Sequence, residues 1–320
     1  MHMSAAAFLQ YLQRLGMPLA RGRLALRRRL LASLPFAAVE RIALANWIIQ
    51  AACNGRVRAT GVSRYETGRI DVGLGRVHAL RTMSANVREA WLDERIYAGR
   101  ALRRDAWPDL RAAAHRLASR IQQIKAGEPG RVVVLSPFHY VSQYANIYVV
   151  DEVRRLLGLE SMSVVSGVPR DMYGNDAAMI PSIRVLYTYD ENGRESRNSL
   201  GLRVIRALRR DGVAVVFSDV PPFTLARFPM ETVGVTIGGR AARVHNGVFR
   251  LGAPVAALLL PFYLSFEKGR FGMRMFEPIA LADADAPQRL AGHIETARRE
   301  NYPHWLYAGH PSVYHFAAIR

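Results

Sequence analysis

The sequence predicts an α/β fold, a mixed and largely parallel sheet flanked by helices, with a helical layer ahead of it. Three observations carry this. Before residue 128 apolar residues recur at helical spacing. After residue 130 they fall into short, near-continuous runs rich in β-branched residues. Those runs alternate with amphipathic helical segments. Strands apolar on both faces need cover on both faces, which a parallel or mixed sheet between helices provides. Gly127-Glu-Pro-Gly130 separates the two regimes. The chain is therefore read as a helical accessory region over 1–128 and an α/β domain over 129–320.

Residues 4–60 read as helical, with a break near Met17-Pro18. Arg21, Arg23, Arg27, Arg28 and Arg29 then interleave with Leu24, Leu26, Leu30 and Leu31. This pattern suits a helix lying in an anionic membrane interface, and equally the solvated face of a packed helix. Pro35 opens a helix to Ala52, with Leu44, Trp47 and Ile48 as its core side. Residues 62–125 read as further helices; Val72-Gly-Leu-Gly-Arg76 follows no strand and is no phosphate loop. Beyond the boundary, strands are predicted at Arg131–Ser136, Met162–Val168, Ile183–Thr188, Val213–Ser218 and Pro254–Leu264. Helices are predicted at Ala145–Leu157, Ser199–Arg210 and Asn246–Leu251, and a hairpin from Gly234–Gly239 to Arg240–Arg243.

Lysine and arginine total 44 against 26 acidic residues, a net charge of +18 over 320 residues. Such a field favours polyanions: nucleic acid, an anionic membrane surface, phosphate-bearing cofactors or an acidic carrier protein. Nucleic acid has charge alone in its favour, since neither an aromatic-studded strand nor a recognition-helix motif is present. The single cysteine, Cys53, excludes an internal disulfide and a multi-cysteine zinc site, and is expected to be a buried structural thiol. His293, His304, His310 and His315 lack cysteine or a helical His pair, so no metal site is expected. No run reaches the ~18–20 apolar residues of a spanning helix. A cytoplasmic protein is expected, at the inner face of the membrane if the basic helix engages lipid.

His139 ends the apolar run Val132–Phe138, where a buried strand gives way to a helix. Reactive groups in open α/β sheets sit just past the carboxyl ends of strands. Imidazole, with an ordinary pKa near about 6.5, can take a hydroxyl proton and return it to a leaving group. It usually needs a carboxylate to orient it. Asp219, ending the run Val213–Ser218, emerges beside His139 if the two strands are parallel; otherwise it is a turn starter before Pro221. Arg170, Arg184, Arg240 and Arg243 could meet an anion, and amides at Gly238-Gly239 could join Arg240 in binding phosphate.

Four segments, in order, carry a family resemblance. They are Val132–His139; Asn198–Asp219, a helix, glycine turn and strand ending in Asp; Val235–Val255, a glycine-rich stretch closing on Gly-Ala-Pro-Val; and Asn301-Tyr-Pro-His-Trp-Leu-Tyr-Ala-Gly-His310. Together they make residues 130–316 resemble the lipid A biosynthesis (late) acyltransferases of the lysophospholipid acyltransferase superfamily. The resemblance implies a glycerolipid acyltransferase-like fold with no permanently bound cofactor. It also implies transfer of an acyl chain from an acyl carrier protein or coenzyme A thioester to a hydroxyl or amine of a lipid-like or specialised-metabolite acceptor. His139 would be the general base. The family's acid five residues on is here Tyr144, left as a substrate contact, and the usual N-terminal spanning helix is replaced by the basic region. Relatives that draw the acid from a later strand point to Asp219. The alternative is a non-catalytic relative that binds lipid or carrier protein.

Overall fold

A computed structural model describes residues 22, 25–167, 180, 182–188, 197–222, 231–309 and 314–315. Arg170 and His310 lie outside them. Among the described residues six α-helices come first: α1 (residues 25–33), α2 (Phe36–Cys53), α3 (Gly55–Val72), α4 (Ala79–Met83), α5 (Ala85–Ala101) and α6 (Pro108–Gly127). Asn54 punctuates the second and third; its side chain accepts from the amides of Arg56 and Val57 and starts α3. Pro108, with no amide proton to leave unpaired, opens α6.

The sheet follows: β1 (Val133–Pro137), α7 (Gln143–Leu156), β2 (Met162–Ser166), β3 (Ile183–Tyr187), α8 (Arg197–Asp211) and β4 (Val213–Val216). Next come the hairpin β5 (Thr232–Ile237) and β6 (Arg240–His245), α9 (Gly247–Gly252), β7 (Leu258–Glu267), β8 (Arg270–Met275), β9 (Ile279–Ala280) and α10 (Ala286–Asn301). The strand order is β3-β2-β4-β1-β7-β8, with β9 also on β7. Every pair from β3 to β7 is parallel, while β8 and β9 pair antiparallel with β7. This is an α/β protein with a mostly parallel mixed sheet flanked by helices. α6 and α7 pack together, and α8 lies on β2, β3 and β4.

Leu92, Ile96, Trp107, Leu110, Leu117 and Ile121 of the helical region belong to the same buried core as Val133, Leu135, Leu259, Leu260 and Phe262 of the sheet.

Several expectations are corrected. Pro254 does not begin a strand: Ala253–Val255 form a 3₁₀ turn and Ala256 takes a left-handed conformation at φ 47° before β7 starts. A proline has no amide to donate to a ladder, so pairing begins beyond it. The buried line of α2 is Val39, Ala43, Trp47 and Ala51, four residues apart. Ile48, about 100° round the helix from Trp47, faces solvent, and Leu44 is half-buried. Cys53, about 200° from Ala51, is exposed rather than a buried thiol.

Candidate active site: a histidine–aspartate pair across two strand ends

β1 and β4 lie side by side and parallel, with Leu135 opposite Val215. His139 and Asp219 each lie four residues beyond that pair (135 + 4 and 215 + 4), so both emerge from the carboxyl edge of the sheet. From there the chain leaves β1 toward β2 and β4 toward β7, opposite directions along the sheet. Sites of open α/β sheets form at such switch points. Ser136 at the end of β1 binds Ser218 beyond β4, Oγ to Oγ at 2.6 Å, and its Oγ accepts the Ser218 amide at 3.2 Å. The two reactive segments are thereby pinned together.

The Asp219 carboxylate holds His139 twice. Oδ1 is 2.8 Å from Nδ1, and Oδ2 accepts the His139 amide at 2.7 Å. An ionised carboxylate only accepts, so Nδ1 carries the hydrogen and Nε2 presents its lone pair. Both side chains are buried. Phe217 and Tyr307 flank the imidazole at ring separations of 4.6 and 4.9 Å. A base walled by aromatic rings and backed by one carboxylate is set up to accept a proton.

The turn carrying His139 is fixed from behind. Its carbonyl accepts the Leu306 amide at 2.9 Å, and the Val141 amide donates to the His304 carbonyl at 2.8 Å. Val141 takes φ 68°, and the Ser142 amide reaches back to the Tyr140 carbonyl, closing a γ-turn. A β-branched residue in that region stores strain, which persists only where surroundings over-determine it. Those surroundings include Arg64 of α3. Its buried guanidinium donates to the carbonyls of Trp305, Leu306 and Ala308 at 2.7, 3.4 and 3.2 Å. On the other side the Tyr314 hydroxyl donates to the Asp219 carbonyl at 2.7 Å. Trp305 stacks on Tyr314 and Arg298 lies 4.9 Å from the Trp305 ring centre, itself paired with Asp71 at 2.7 Å. Burial, then the Asp219 charge, push the Tyr140 and Tyr314 hydroxyls well above the usual phenol range, so both stay neutral donors. Burial, reinforced by Arg88, keeps His304 uncharged.

Tyr144 sits in the first turn of α7, half-buried, with its ring edge-on to Tyr97 of α5. The acid near that helix start is Asp93 of α5, which accepts from the Ser142 hydroxyl and, at 3.4 Å, from the Tyr144 amide. Ser142 in turn caps α7 by accepting the Ala145 amide at 3.0 Å.

Gly238 and Gly239 form the two-residue turn of the β5–β6 hairpin, at φ 59° and 72°. Positive φ at both positions is the type I′ geometry that suits hairpin twist and glycine. The Gly238 amide donates to the Glu295 carboxylate at 2.8 Å. These contacts run to α10 rather than to the His139–Asp219 pair, and Arg240 beside them is exposed. Arg243 binds Thr232 within the hairpin, and Arg184 is exposed on the edge strand β3. Of the sequence-derived candidates, the structure brings together His139 and Asp219. Tyr314 binds that pair directly, while Asp93 and Arg64, which no sequence pattern marks, brace the segments next to it.

No protein-family model matches the chain, and no curated protein is significantly similar to it. Fold and site define a class by themselves: an α/β protein with a carboxylate-oriented histidine at the carboxyl ends of two adjacent parallel strands.

Proposed function

We propose that the protein is an acyltransferase of the lysophospholipid acyltransferase type, using His139 as general base and Asp219 as its orienting acid. The observation that carries this reading is the 2.8 Å contact between His139 Nδ1 and Asp219 Oδ1. It provides, from the turn after β4, the carboxylate missing at position 144. In the reaction, Nε2 takes the proton of an acceptor hydroxyl or amine as that atom attacks the thioester carbonyl carbon. The tetrahedral intermediate collapses, the carbon–sulfur bond breaks, and the departing thiolate receives the proton from the imidazolium. Asp219 stabilises that imidazolium while it exists. An acyl carrier protein, itself acidic, or a coenzyme A thioester as donor is consistent with the +18 charge.

The test is thiol release from acyl carrier protein and coenzyme A thioesters, in the presence of lipid and metabolite extracts as acceptor. The wild-type protein is expected to release thiol in an acceptor-dependent way. His139→Ala should lose all of it while still melting cooperatively. Undiminished release by His139→Ala would overturn the assignment. A wild-type protein that binds the thioesters without turning them over would be the non-catalytic relative instead.

A further inference from the structure

The helix α2 is apolar on two sides. Val39, Ala43, Trp47 and Ala51 are buried. Ile42, Ala45, Ile48, Ile49 and Ala52 are exposed and recur at helical spacing, forming a second apolar stripe. In α1, Leu26 and Leu30 lie one turn apart on the surface. These two leucines, with Ile48 and Ile49, are each between 48 and 64 % exposed. Between α1, α2 and α5 runs a largely apolar groove of about 380 Å³ lined by Leu26, Arg27, Leu30, Leu31, Leu34, Ile42 and Trp91. Large exposed apolar side chains gathered on one face mark an interaction surface.

Charge specifies the partner. Residues 25–60 contain Arg27, Arg28, Arg29, Arg41, Arg56 and Arg58 against one acid, Glu40. Arg27 is paired with Glu94, and Glu40 with Arg81. Arg29, Arg41, Arg56 and Arg58 are exposed and in no ion pair among the described residues. Aliphatic side chains bordered by unpaired arginines match an anionic bilayer: methyl groups enter the acyl boundary while guanidinium groups remain with the phosphates. By length and composition α2 could cross a bilayer. Its Val39–Ala51 line, however, is committed to the protein interior and α2 packs on α5. It therefore lies along a surface rather than through it.

We propose that the exposed face of α1 and α2 docks in-plane on an anionic phospholipid bilayer, inserting Leu26, Leu30, Ile42, Ile48 and Ile49. The inference rests on the surface alone and does not depend on the His139 chemistry. Full-length protein is sedimented with vesicles of phosphatidylcholine, with and without about one third phosphatidylglycerol, at 0.1 M salt, where screening extends over ~10 Å. Binding to the anionic vesicles alone is expected. Ile48→Glu with Ile49→Glu should weaken it at least tenfold at an unchanged melting temperature, because both side chains are about half or more exposed to water. Arg41→Glu with Arg58→Glu should abolish the preference for phosphatidylglycerol. Binding untouched by the isoleucine pair would trace it to net charge and overturn the proposal. So would a wild-type dimer, seen by size exclusion, that the isoleucine pair dissociates, since the face would then join two copies of the chain.

Discussion

At the scale of single residues, Asp219 does two jobs, and substitutions separate them. Asn keeps an oxygen that can accept the His139 amide, but its amide group cannot favour a protonated imidazole. Asp219→Asn is expected to slow turnover by about 10²–10⁴ with little change in melting temperature, the scale on which carboxylate-to-amide changes act in such pairs. Equal activity would show that the aspartate only shapes the turn. Tyr314→Phe deletes the hydroxyl on the Asp219 carbonyl and leaves that buried acceptor unpaired, a loss of about 1–2 kcal/mol in chemical denaturation. His139 and Asp219 were legible in the sequence because each closes a short, mostly apolar run, and parallel strands expose such ends on one edge. Tyr314, Arg64 and Asp93 were not. They reach the site from a terminal turn and from helices far away in sequence, and no local pattern records such a meeting. Arg64, moreover, reads in sequence like any of the chain's many surface arginines, although its guanidinium is buried against three carbonyls.

At the scale of elements, α5 carries two half-buried acids one turn apart, Glu89 and Asp93, of which Asp93 binds the Ser142 hydroxyl. Burial raises Asp93 to about 6 and, with Asp93 as like-charged neighbour, raises Glu89 to about 8. A carboxyl whose folded pKa exceeds its unfolded value binds protons more tightly in the native state, so stability falls as pH rises between the two values. For Glu89 that interval runs from about 4.5 to about 8, and for Asp93 from about 3.8 to about 6. Glu89→Gln should therefore raise the melting temperature at pH 8.5 and leave it nearly unchanged at pH 4.5. A shift of equal size at both would mean that Glu89 is not the titrating group. The same scale explains which elements the sequence hid. The apolar residues of α2 surround the helix, so periodicity does not separate the core side from the exposed one, and Ile48 is exposed where the sequence predicts core. β8 alternates arginine with apolar residues after a two-residue turn at Lys268-Gly269, φ 51° and 78°. Its partner β7, buried on both faces, masked the hairpin. A methyl group on Gly269 would come within 2.5 Å of the Ala37 backbone.

At the scale of the whole molecule, the glycine-proline boundary at 127–130 is a boundary of secondary-structure type, while the packing runs straight across it. Leu110, Leu117 and Ile121 of α6 share the core with β1 and β7. Polar contacts cross as well: Arg64 holds the carbonyls at 305–308, Arg88 donates to the Pro303 carbonyl at 2.8 Å, and Asp71 pairs with Arg298. Arg64 and Arg88 hold directly, and Asp71 holds through Arg298 over the Trp305 ring, the stretch whose Leu306 amide and His304 carbonyl fasten the His139 turn. Two consequences follow for a chain divided at that boundary. Residues 129–320 alone would expose the apolar surface that α5 and α6 cover, and a domain is only marginally stable when all its burial is in place. They would also lack Arg64 and Arg88, whose guanidinium groups bind the carbonyls of the 303–308 segment. A fragment of residues 129–320 is accordingly expected to be collapsed without fixed side-chain packing, retaining far-ultraviolet circular dichroism but losing the near-ultraviolet aromatic signal. Supplying residues 1–128 as a separate chain should restore that signal. Arg64→Leu in the intact protein, a milder cut at the same joint, should lower stability on the order of 3 kcal/mol by leaving buried carbonyls unpaired. A sharp, cooperative melt from the isolated 129–320 fragment, at the temperature of the full chain, would show that the sheet needs none of the helical layer and that the shared core is contact without dependence.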